Sequence, residues 1–419
     1  MPFASYIRLF SSQGRLLSFG FVMSFSSSFG QTYFIGIFGP AIQTEFGLSH
    51  TLWGSIYLVG TLASGAILAW TGGLIDRFSL PRYTLFAGLL LIFACLFISL
   101  TAGAISLVIA IFLLRQSGQG LITHISITTM ARYFDANRGR AIAVATIGFS
   151  AAEALLPFIA VASISLVGWR WTYGLAAALL GCILLPVSLW LLKDFHHRQY
   201  VLLKQATEII IDSPLSVRSW SRSEVLHDTR FYLLLPGFVA PSIISTAMFF
   251  HHLTLADAKD WSHAWITSNY AVYAASVVLT VLIIGPLIDR FRAIRLLPYM
   301  LAPLVLALLL VSIVDSSWAV SLYMLLFGFS AGMVHTLTNS MWPELYGVKH
   351  LGTIRSLGVA ITVVGSAVGP VILGGLMDLG VSIESVCLLF ASYSIVGGTL
   401  IYVALRGSWT KLSRTVRRA

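Results

Sequence analysis

Long apolar stretches recur along the whole chain, and short polar segments separate them. A helix needs about 20 mostly apolar residues to cross a bilayer. The sequence therefore predicts an all-α membrane protein with twelve transmembrane helices, called spans 1–12, in two pseudo-symmetric six-helix bundles. Their predicted limits are 17–40, 51–74, 84–102, 105–130, 141–164, 169–192, 231–252, 265–288, 295–314, 318–341, 353–377 and 382–405.

One seven-residue phrase occurs twice at nearly the same place in the two halves. Gly72–Phe78 reads GGLIDRF and Gly285–Phe291 reads GPLIDRF, and Arg82 and Arg295 follow at equal distances. The offset is 285 − 72 = 213, about half of the 419 residues. Other identities keep this offset, including Tyr57 with Tyr270 and Gly139 with Gly352. The chain is therefore predicted to be two copies of one unit, an arrangement known from secondary transporters.

The distribution of polar residues predicts four parts. An N-terminal bundle occupies 1–192, a polar linker 193–230, a C-terminal bundle 231–405 and a basic tail 406–419. The loops on the face of the membrane opposite the linker are too short for a separate domain.

Composition excludes an ordinary soluble domain, because hydrophobic residues make up 57% and charged residues 10%. The net charge of +10 does not indicate a nucleic acid, because only Arg115, Arg170 and Lys259 of the 26 basic residues lie outside the termini and the loops of one side. This asymmetry predicts a multi-pass protein of the cytoplasmic (inner) membrane with both termini cytoplasmic. The basic loops are expected to contact anionic membrane lipids.

Motifs for enzymatic or cofactor chemistry are absent from the sequence. The three cysteines lie in apolar segments without metal-ligand spacing, and no phosphate-binding G-x-x-x-x-G-K-[ST] loop occurs. We therefore expect no enzyme, no metal and no cofactor. An ion gradient or the gradient of the substrate itself would supply the energy.

The repeated phrase places an Asp-Arg pair just after spans 2 and 8. An aspartate there can face the positive N-terminal end of a helix in the other half and separate from it during transport. We expect Asp76 to face the start of span 11 and Asp289 the start of span 5, although a plain interfacial charge pair is the alternative. The predicted gating residues are Asp76, Arg77, Arg82, Asp289, Arg290, Arg295, Arg138 and Arg355.

Taken together, the twelve spans, the central loop and the G-x-L-x-D-R phrases resemble the major facilitator superfamily. Arg115–Gly120 in span 4 is similar to its R-x-x-G-x-G pattern, and Ser28–Thr32 with Arg132–Ala141 resembles the monocarboxylate and oxalate branch. This resemblance implies a monomeric transporter of a small organic anion, with the proton as co-substrate. The chain departs from that branch because spans 1 and 8 carry no basic residue inside the membrane, and Arg355 lies at the mouth of span 11.

Arg115 is the most informative charge, because a charge near the middle of the membrane costs at least a few kcal/mol. Glu153 in span 5 is predicted to lie within reach of its side chain. We hypothesise that the two form a pair that couples to transport, and a purely structural pair is the alternative. On an ideal helix Gln119 shares a face with Arg115, which suits the wall of a cavity.

Polar and aromatic residues in spans 1 and 10 complete the predicted binding set. These are Gln31 and Tyr33 in span 1, and His335 and Asn339 in span 10. The alternative for such residues is hydrogen bonding between helices.

The predicted function is secondary active transport of a small organic solute, with a proton-coupled monocarboxylate as the leading substrate. Three alternatives stay open: import of a neutral or aromatic vitamin-like compound, efflux of a metabolite or drug, and a transporter-like receptor. No nucleic acid partner is expected.

Overall fold

The computed structural model describes residues 2–134, 137–193, 220–347 and 350–416, which are helical and contain no strand. The chain folds into two compact units. Unit 1 comprises residues 1–48 and 55–213, and unit 2 comprises 49–54 and 214–419. The helix that begins at His50 therefore starts in unit 2 and continues in unit 1.

The described part of unit 1 contains nine α-helices with short 3-10 and π-helical pieces between them. The α-helices are α1 Pro2–Ser27, α2 Thr32–Ile37, α3 Gly39–Phe46, α4 His50–Thr71, α5 Leu80–Ser99, α6 Ala104–Leu114, α7 Thr123–Tyr133, α8 Arg138–Leu179 and α9 Leu185–Leu191. The other pieces are the 3-10 turns Ser28–Gly30 and Gly72–Asp76 and the π-helical segments Arg115–Ile122 and Leu180–Leu184.

Ten further α-helices lie in the described part of unit 2. They are α10 Arg222–Leu226, α11 Thr229–Phe250, α12 His252–Ala258, α13 His263–Ser268, α14 Tyr270–Phe291, α15 Ala293–Leu296, α16 Ala302–Ile313, α17 Ala319–Tyr346, α18 Leu351–Asp378 and α19 Ile383–Val416, with a 3-10 turn at Leu297–Tyr299.

Within the described residues, ten helical stretches are long and apolar enough to cross a membrane. One of them, Gly139–Leu191, has 53 residues. At about 1.5 Å per residue it is far longer than the roughly 30 Å of one crossing. Gly168 interrupts it with a φ of 79°, so this stretch accounts for predicted spans 5 and 6. Span 1 is divided between α1 and α2, which explains the difference between ten stretches and twelve spans.

The sequence predicts a polar linker after the first bundle and a basic tail after the second. Residues 194–219 lie outside the described part of the chain, and so does most of the predicted linker. Its last part forms α10, which starts at a capping box in which Ser221 and Glu224 satisfy each other's backbone N–H groups. The helix α19 continues through the predicted tail as far as Val416.

A polar cluster at one end of unit 1 ties three segments together. Arg170 donates to a carboxylate oxygen of Glu45 at 2.7 Å, and to the carbonyl oxygens of Ser99 at 2.7 Å and Thr101 at 2.8 Å. The indole of Trp169 donates to the other oxygen of Glu45 at 2.6 Å. Hydrogen bonds from Arg170 and Trp169 lower the pKa of Glu45 below its usual value of 4.5.

Candidate functional site

Span 1 is broken in the middle of unit 1. After α1 ends at Ser27, a 3-10 turn runs to Gly30, Gln31 is extended with φ −85° and ψ 152°, and α2 starts at Thr32. The N–H groups of Phe34 and Ile35 both bond to the carbonyl of Gln31. This pattern leaves the Gly30 carbonyl oxygen without a backbone donor. The oxygen can therefore accept a hydrogen bond from a neighbouring helix.

A second irregular segment lies against this break. Span 4 changes to π-helix at Arg115–Ile122. The two backbones touch, because a Cβ on Gly30 would lie 2.8 Å from Gly118 Cα, and one on Gly118 would lie 2.7 Å from Gly30 N and Cα. Irregular backbone at membrane depth occurs where it is buried in protein or lines a cavity, and π-helical turns are frequent at functional sites.

Arg115 occupies this junction with its side chain 1% exposed. Its Nη1 donates to the Gly30 carbonyl at 3.2 Å and to Thr32 Oγ1 at 3.3 Å. The Arg115 Cζ lies 5.3 Å from the ring centroid of Tyr57, in the range of a cation–π contact. The hydroxyls of Tyr57 and Thr32 are hydrogen-bonded at 2.5 Å. Arg115 thus serves the carbonyl that the broken helix leaves free.

Arg115 and Glu153 form no salt bridge or hydrogen bond with each other in this structure, and their coupling during transport stays a prediction. Arg115 has no acidic partner within the described part of the chain. Two physical reasons explain the difference. The free Gly30 carbonyl attracts the guanidinium toward span 1, and the π-helical segment alters the rotation per residue that an ideal helix assumes.

Glu153 lies on α8, and its side chain is 6% exposed. Neither a hydrogen bond nor an ion pair joins its carboxyl group to any residue that the structure describes. One turn earlier, Phe149 meets the ring of Tyr33 edge-on at 5.9 Å. The helix is close to span 1 here, because a Cβ on Gly148 would lie 2.2 Å from the carbonyl of Phe21.

Gln31 and Gln119 lie on the two irregular segments. Both side chains are half-buried, and their amides have no hydrogen-bond partner among the described residues. The backbone N of Gln119 would lie 3.0 Å from a Cβ on Gly30, which places it beside the break. Two amides of this kind offer donors and acceptors to a polar solute.

Sequence reasoning did not identify Thr32 and Tyr57 as site residues. A signal for Tyr57 was present in the repeat, since Tyr270 occupies the same position in the second copy. Both tyrosines are fully buried, and Tyr270 is hydrogen-bonded through its hydroxyl to Nδ1 of His252 at 2.8 Å. Thr32 carried no signal, because the break in span 1 could not be located from composition.

In unit 2, one predicted binding residue meets one predicted gating residue. Arg355 donates through Nη2 to Oδ1 of Asn339 at 2.7 Å, and Asn339 donates to the carbonyl of His335 at 2.8 Å. All three side chains are exposed. The structure thus connects span 10 with the first turns of α18.

The remaining gating residues are only partly described. The side chains of Arg77, Arg82, Arg290 and Arg295 are exposed, whereas those of Asp76, Asp289 and Arg138 lie outside the described part. The gate therefore stays a prediction. A search of the described residues finds no cluster of three His, Cys, Asp or Glu side chains that can hold a metal ion.

Comparison with known proteins decides the family. The family model described as Major Facilitator Superfamily matches residues 20–370, and again residues 252–418. This chain belongs to that superfamily. The Bacillus subtilis (strain 168) protein named "Uncharacterized MFS-type transporter YcxA" is 26% identical over 356 residues, which cover 82% of this chain and 83% of the relative. The chain is therefore a multi-pass membrane transporter, and the monocarboxylate branch is not decided by these matches.

Solved structures share the same fold. The nucleoside transporter NupG superposes with a TM-score of 0.70 at 14% identity, over 93% of this chain and 98% of that chain. A bacterial homologue of the human lysosomal transporter Spinster gives a TM-score of 0.67 at 14% identity, over 97% of both chains. At this identity the likeness establishes the major facilitator fold of twelve helices in two pseudo-symmetric bundles.

Proposed function

We propose that this protein moves a small monocarboxylate across the cytoplasmic membrane together with a proton, by alternating access. The observation that carries the proposal is the buried Arg115, for which the described residues supply no acidic partner. A small-molecule substrate with one negative charge would complete this site.

The charge balance of the site favours an anion. A buried cation within the membrane costs about 2.5–3.5 kcal/mol or more. The Gly30 carbonyl, the Thr32 hydroxyl and the Tyr57 ring offset part of this, at about 0.5–3 kcal/mol each. An arginine has five N–H donors, and Nε of Arg115 has no partner. A carboxylate is the acceptor that matches these donors in two parallel hydrogen bonds.

Substrate binding in this proposal is an exchange of acceptors. Because Arg115 is buried at the junction, the carboxylate takes the place of Thr32 Oγ1 at the guanidinium. Gln31 and Gln119 hold the polar groups of the substrate, and Tyr33 contacts its carbon chain. Movement of α2 at the break in span 1 opens the way for this exchange.

Glu153 carries the proton in this proposal. A carboxylate without a cation is expensive in the membrane, so Glu153 is neutral while it is buried as seen here. It releases its proton when transport exposes it to water of the other side. Anion and proton then cross together without net charge.

A neutral ring compound is the second candidate substrate. The unpartnered amides of Gln31 and Gln119 suit the edge of a heterocycle, and the Tyr33–Phe149 pair offers an aromatic surface. The solved NupG structure is named a nucleoside transporter. The uptake experiment below therefore includes a nucleoside. Export instead of import is the same mechanism run in the other direction.

Reconstituted vesicles test the proposal. The purified protein is placed in liposomes with a pH gradient, and uptake of labelled lactate, pyruvate and uridine is measured. We expect uptake of a monocarboxylate driven by the gradient and abolished by Arg115→Gln. Glu153→Gln should keep exchange of labelled for unlabelled substrate but lose accumulation driven by the gradient. The control is Arg15→Gln, which removes an arginine that lies over the Trp190 ring at 5.1 Å and should leave both activities intact.

Two results would contradict the proposal. Uptake of uridine that excess carboxylate does not inhibit would support the neutral substrate. Carboxylate uptake unchanged in Arg115→Gln would move the anion site away from span 4.

A further inference from the structure

The first turn of α4 belongs to unit 2. Residues 49–54, called the outer turn below, are part of unit 2, whereas the rest of α4 is part of unit 1. The outer turn lies at the end of α4 that is predicted to face away from the cytoplasm. Alternating access requires the two bundles to separate on each side of the membrane in turn. The contacts of the outer turn within unit 2 must therefore form and break during each cycle.

The outer turn is held by the end of α18. The Asp378 carboxylate accepts the N–H groups of His50 at 3.1 Å and Thr51 at 2.7 Å. The two backbones also approach closely, because a Cβ on Gly374 would lie 2.5 Å from the His50 carbonyl oxygen. Closely packed groups of this kind transmit strain to one another, so a change at a neighbouring side chain can release the turn.

His251 is a buried titratable group beside the outer turn. It follows the last residue of α11, its side chain is 1% exposed, and its ring lies 5.8 Å from that of His50. Its Nε2 bonds to the Pro370 carbonyl oxygen at 3.1 Å, and Nε2 carries the proton because a carbonyl only accepts. Its Nδ1 is buried and has no hydrogen-bond partner among the described residues. The site therefore fits one tautomer of the neutral imidazole.

Protonation of His251 would disturb this arrangement. It would add an N–H at Nδ1, for which the described residues supply no acceptor, and bury a charge. The titratable groups that act on His251 are His50 on α4 and Asp378 on α18, whereas the adjacent His252 bonds to the Tyr270 hydroxyl at 2.8 Å. A cation at His50 would repel the imidazolium. Asp378 would attract it, but this carboxylate already accepts the two N–H groups of the outer turn, so the two roles compete.

The two copies of the repeat differ at this position. The offset of 213 residues carries Phe38 to His251. Phe38 is also fully buried, and it stacks on Tyr173 with ring centroids 4.0 Å apart. Since a phenylalanine fills this position in the first copy, packing alone does not require a titratable group in the second.

We propose that His251 is a proton sensor, which releases the outer turn at acidic pH. The neutral ring belongs to the docked turn, and the protonated ring belongs to the released turn, in which the ring reaches water. A histidine in water has a pKa of about 6.5. If only the released state takes up the proton, a fall from about pH 7.5 to 5.5 favours release by about tenfold. The inference rests on alternating access in the proposed function, but not on the identity of the substrate.

Hydrogen–deuterium exchange of the full-length protein in detergent, without substrate or a pH gradient, tests the proposal. The readout is the protection of the N–H groups of residues 49–54 at about pH 7.5 and 5.5, corrected for the intrinsic exchange rate of the unfolded chain. We expect about tenfold lower protection at the acidic pH in the wild type. This difference should disappear in His251→Phe, which introduces the side chain of the first copy, and in His251→Gln, which keeps a donor for the Pro370 carbonyl. The matched control is His263→Gln, which removes a histidine of unit 2 that pairs with Asp257 at 2.6 Å and should leave the response intact.

Further measurements keep the result unambiguous. Melting temperatures show whether each variant is folded, and one folded His251 variant is enough for the test. His50→Gln should keep the response, because His50 is half-buried and can reach water while the turn is docked. Equal protection at both pH values in the wild type, a response that persists in a folded His251 variant, or one that is lost only in His50→Gln would overturn the proposal. Because no substrate is present, a failure of the uptake experiment would leave this result unchanged.

Discussion

The contact between the broken span 1 and span 4 can be tested with a single methyl group. In Gly118→Ala the new Cβ would lie 2.7 Å from Gly30 N and Cα, whereas ordinary contacts begin at 3.4 Å. The two backbones would have to separate by about 0.7 Å. Such overpacking costs about 1–3 kcal/mol, and the upper part of this range applies because backbone atoms cannot rotate away. The gain of about 1 kcal/mol for replacing a helical glycine leaves a net loss of about 1–2 kcal/mol.

A second glycine of unit 1 provides the control. Gly174 lies inside α8, and a Cβ there would meet only a carbon of Trp171 at 4.0 Å. Gly174→Ala should therefore be neutral or stabilising by up to about 1 kcal/mol. The assay is the apparent melting temperature of both purified variants in one detergent, together with uptake in vesicles. We expect Gly118→Ala to melt below the wild type and to transport poorly, since Arg115 would lose the Gly30 carbonyl. If Gly118→Ala melts as high as Gly174→Ala, the close contact is not real.

Two further predictions concern polar contacts at helix ends. The carboxylate of Asp378 accepts the first two N–H groups of α4, at 3.1 and 2.7 Å. Asp378→Ala should lower the stability by about 0.5–2 kcal/mol in thermal unfolding, Asp378→Asn by less, and an unchanged melting temperature in Asp378→Ala would contradict the contact. The lowered pKa of Glu45 means that its stabilisation is present above its usual pKa of 4.5 and is lost as the pH falls through the lowered value. In melting curves from about pH 3 to 6 this loss should be below about 1 kcal/mol, because the Glu45 side chain is 41% exposed to solvent, and equal curves for Glu45→Gln and wild type would refute it.

The number of spans and the family could be predicted from the sequence, because both depend on patterns that extend over many residues. Hydrophobic stretches and the 213-residue offset survive local irregularities. The partner of Arg115 could not be predicted in this way. It depends on where span 1 breaks, and neither the serines before Ser28 nor Gly30 distinguishes a broken helix from a closely packed one.

The π-helical segment of span 4 could not be predicted from the sequence either. An ideal helix of 100° per residue places Arg115 and Gln119 on one stripe, but Arg115–Ile122 is π-helical. A π-helical segment has no composition of its own, and it forms here where Gly118 lets two backbones meet. Tertiary packing therefore decided which groups face each other, and no pattern along one helix contains that information.

The three basic residues outside the predicted cytoplasmic loops and termini differ in their partners, and two of them have acidic ones. Arg170 binds Glu45 in unit 1. In unit 2, Lys259 binds Asp315 and, at 3.3 Å, Glu384.

These two clusters occupy equivalent positions in the two copies, but the acidic and basic residues have exchanged places. The repeat offset carries position 45 to 258 and position 170 to 383, next to Lys259 and Glu384. The loop after the first span therefore carries the acid in one copy and the base in the other. Both copies retain the ion pair between the loop after the first span and the start of the last span. A structural role therefore accounts for Arg170 and Lys259. Arg115 differs from them, because it lies within a span and has no acid beside it among the described residues. That contrast is the reason for proposing that Arg115 binds a negatively charged group of the substrate.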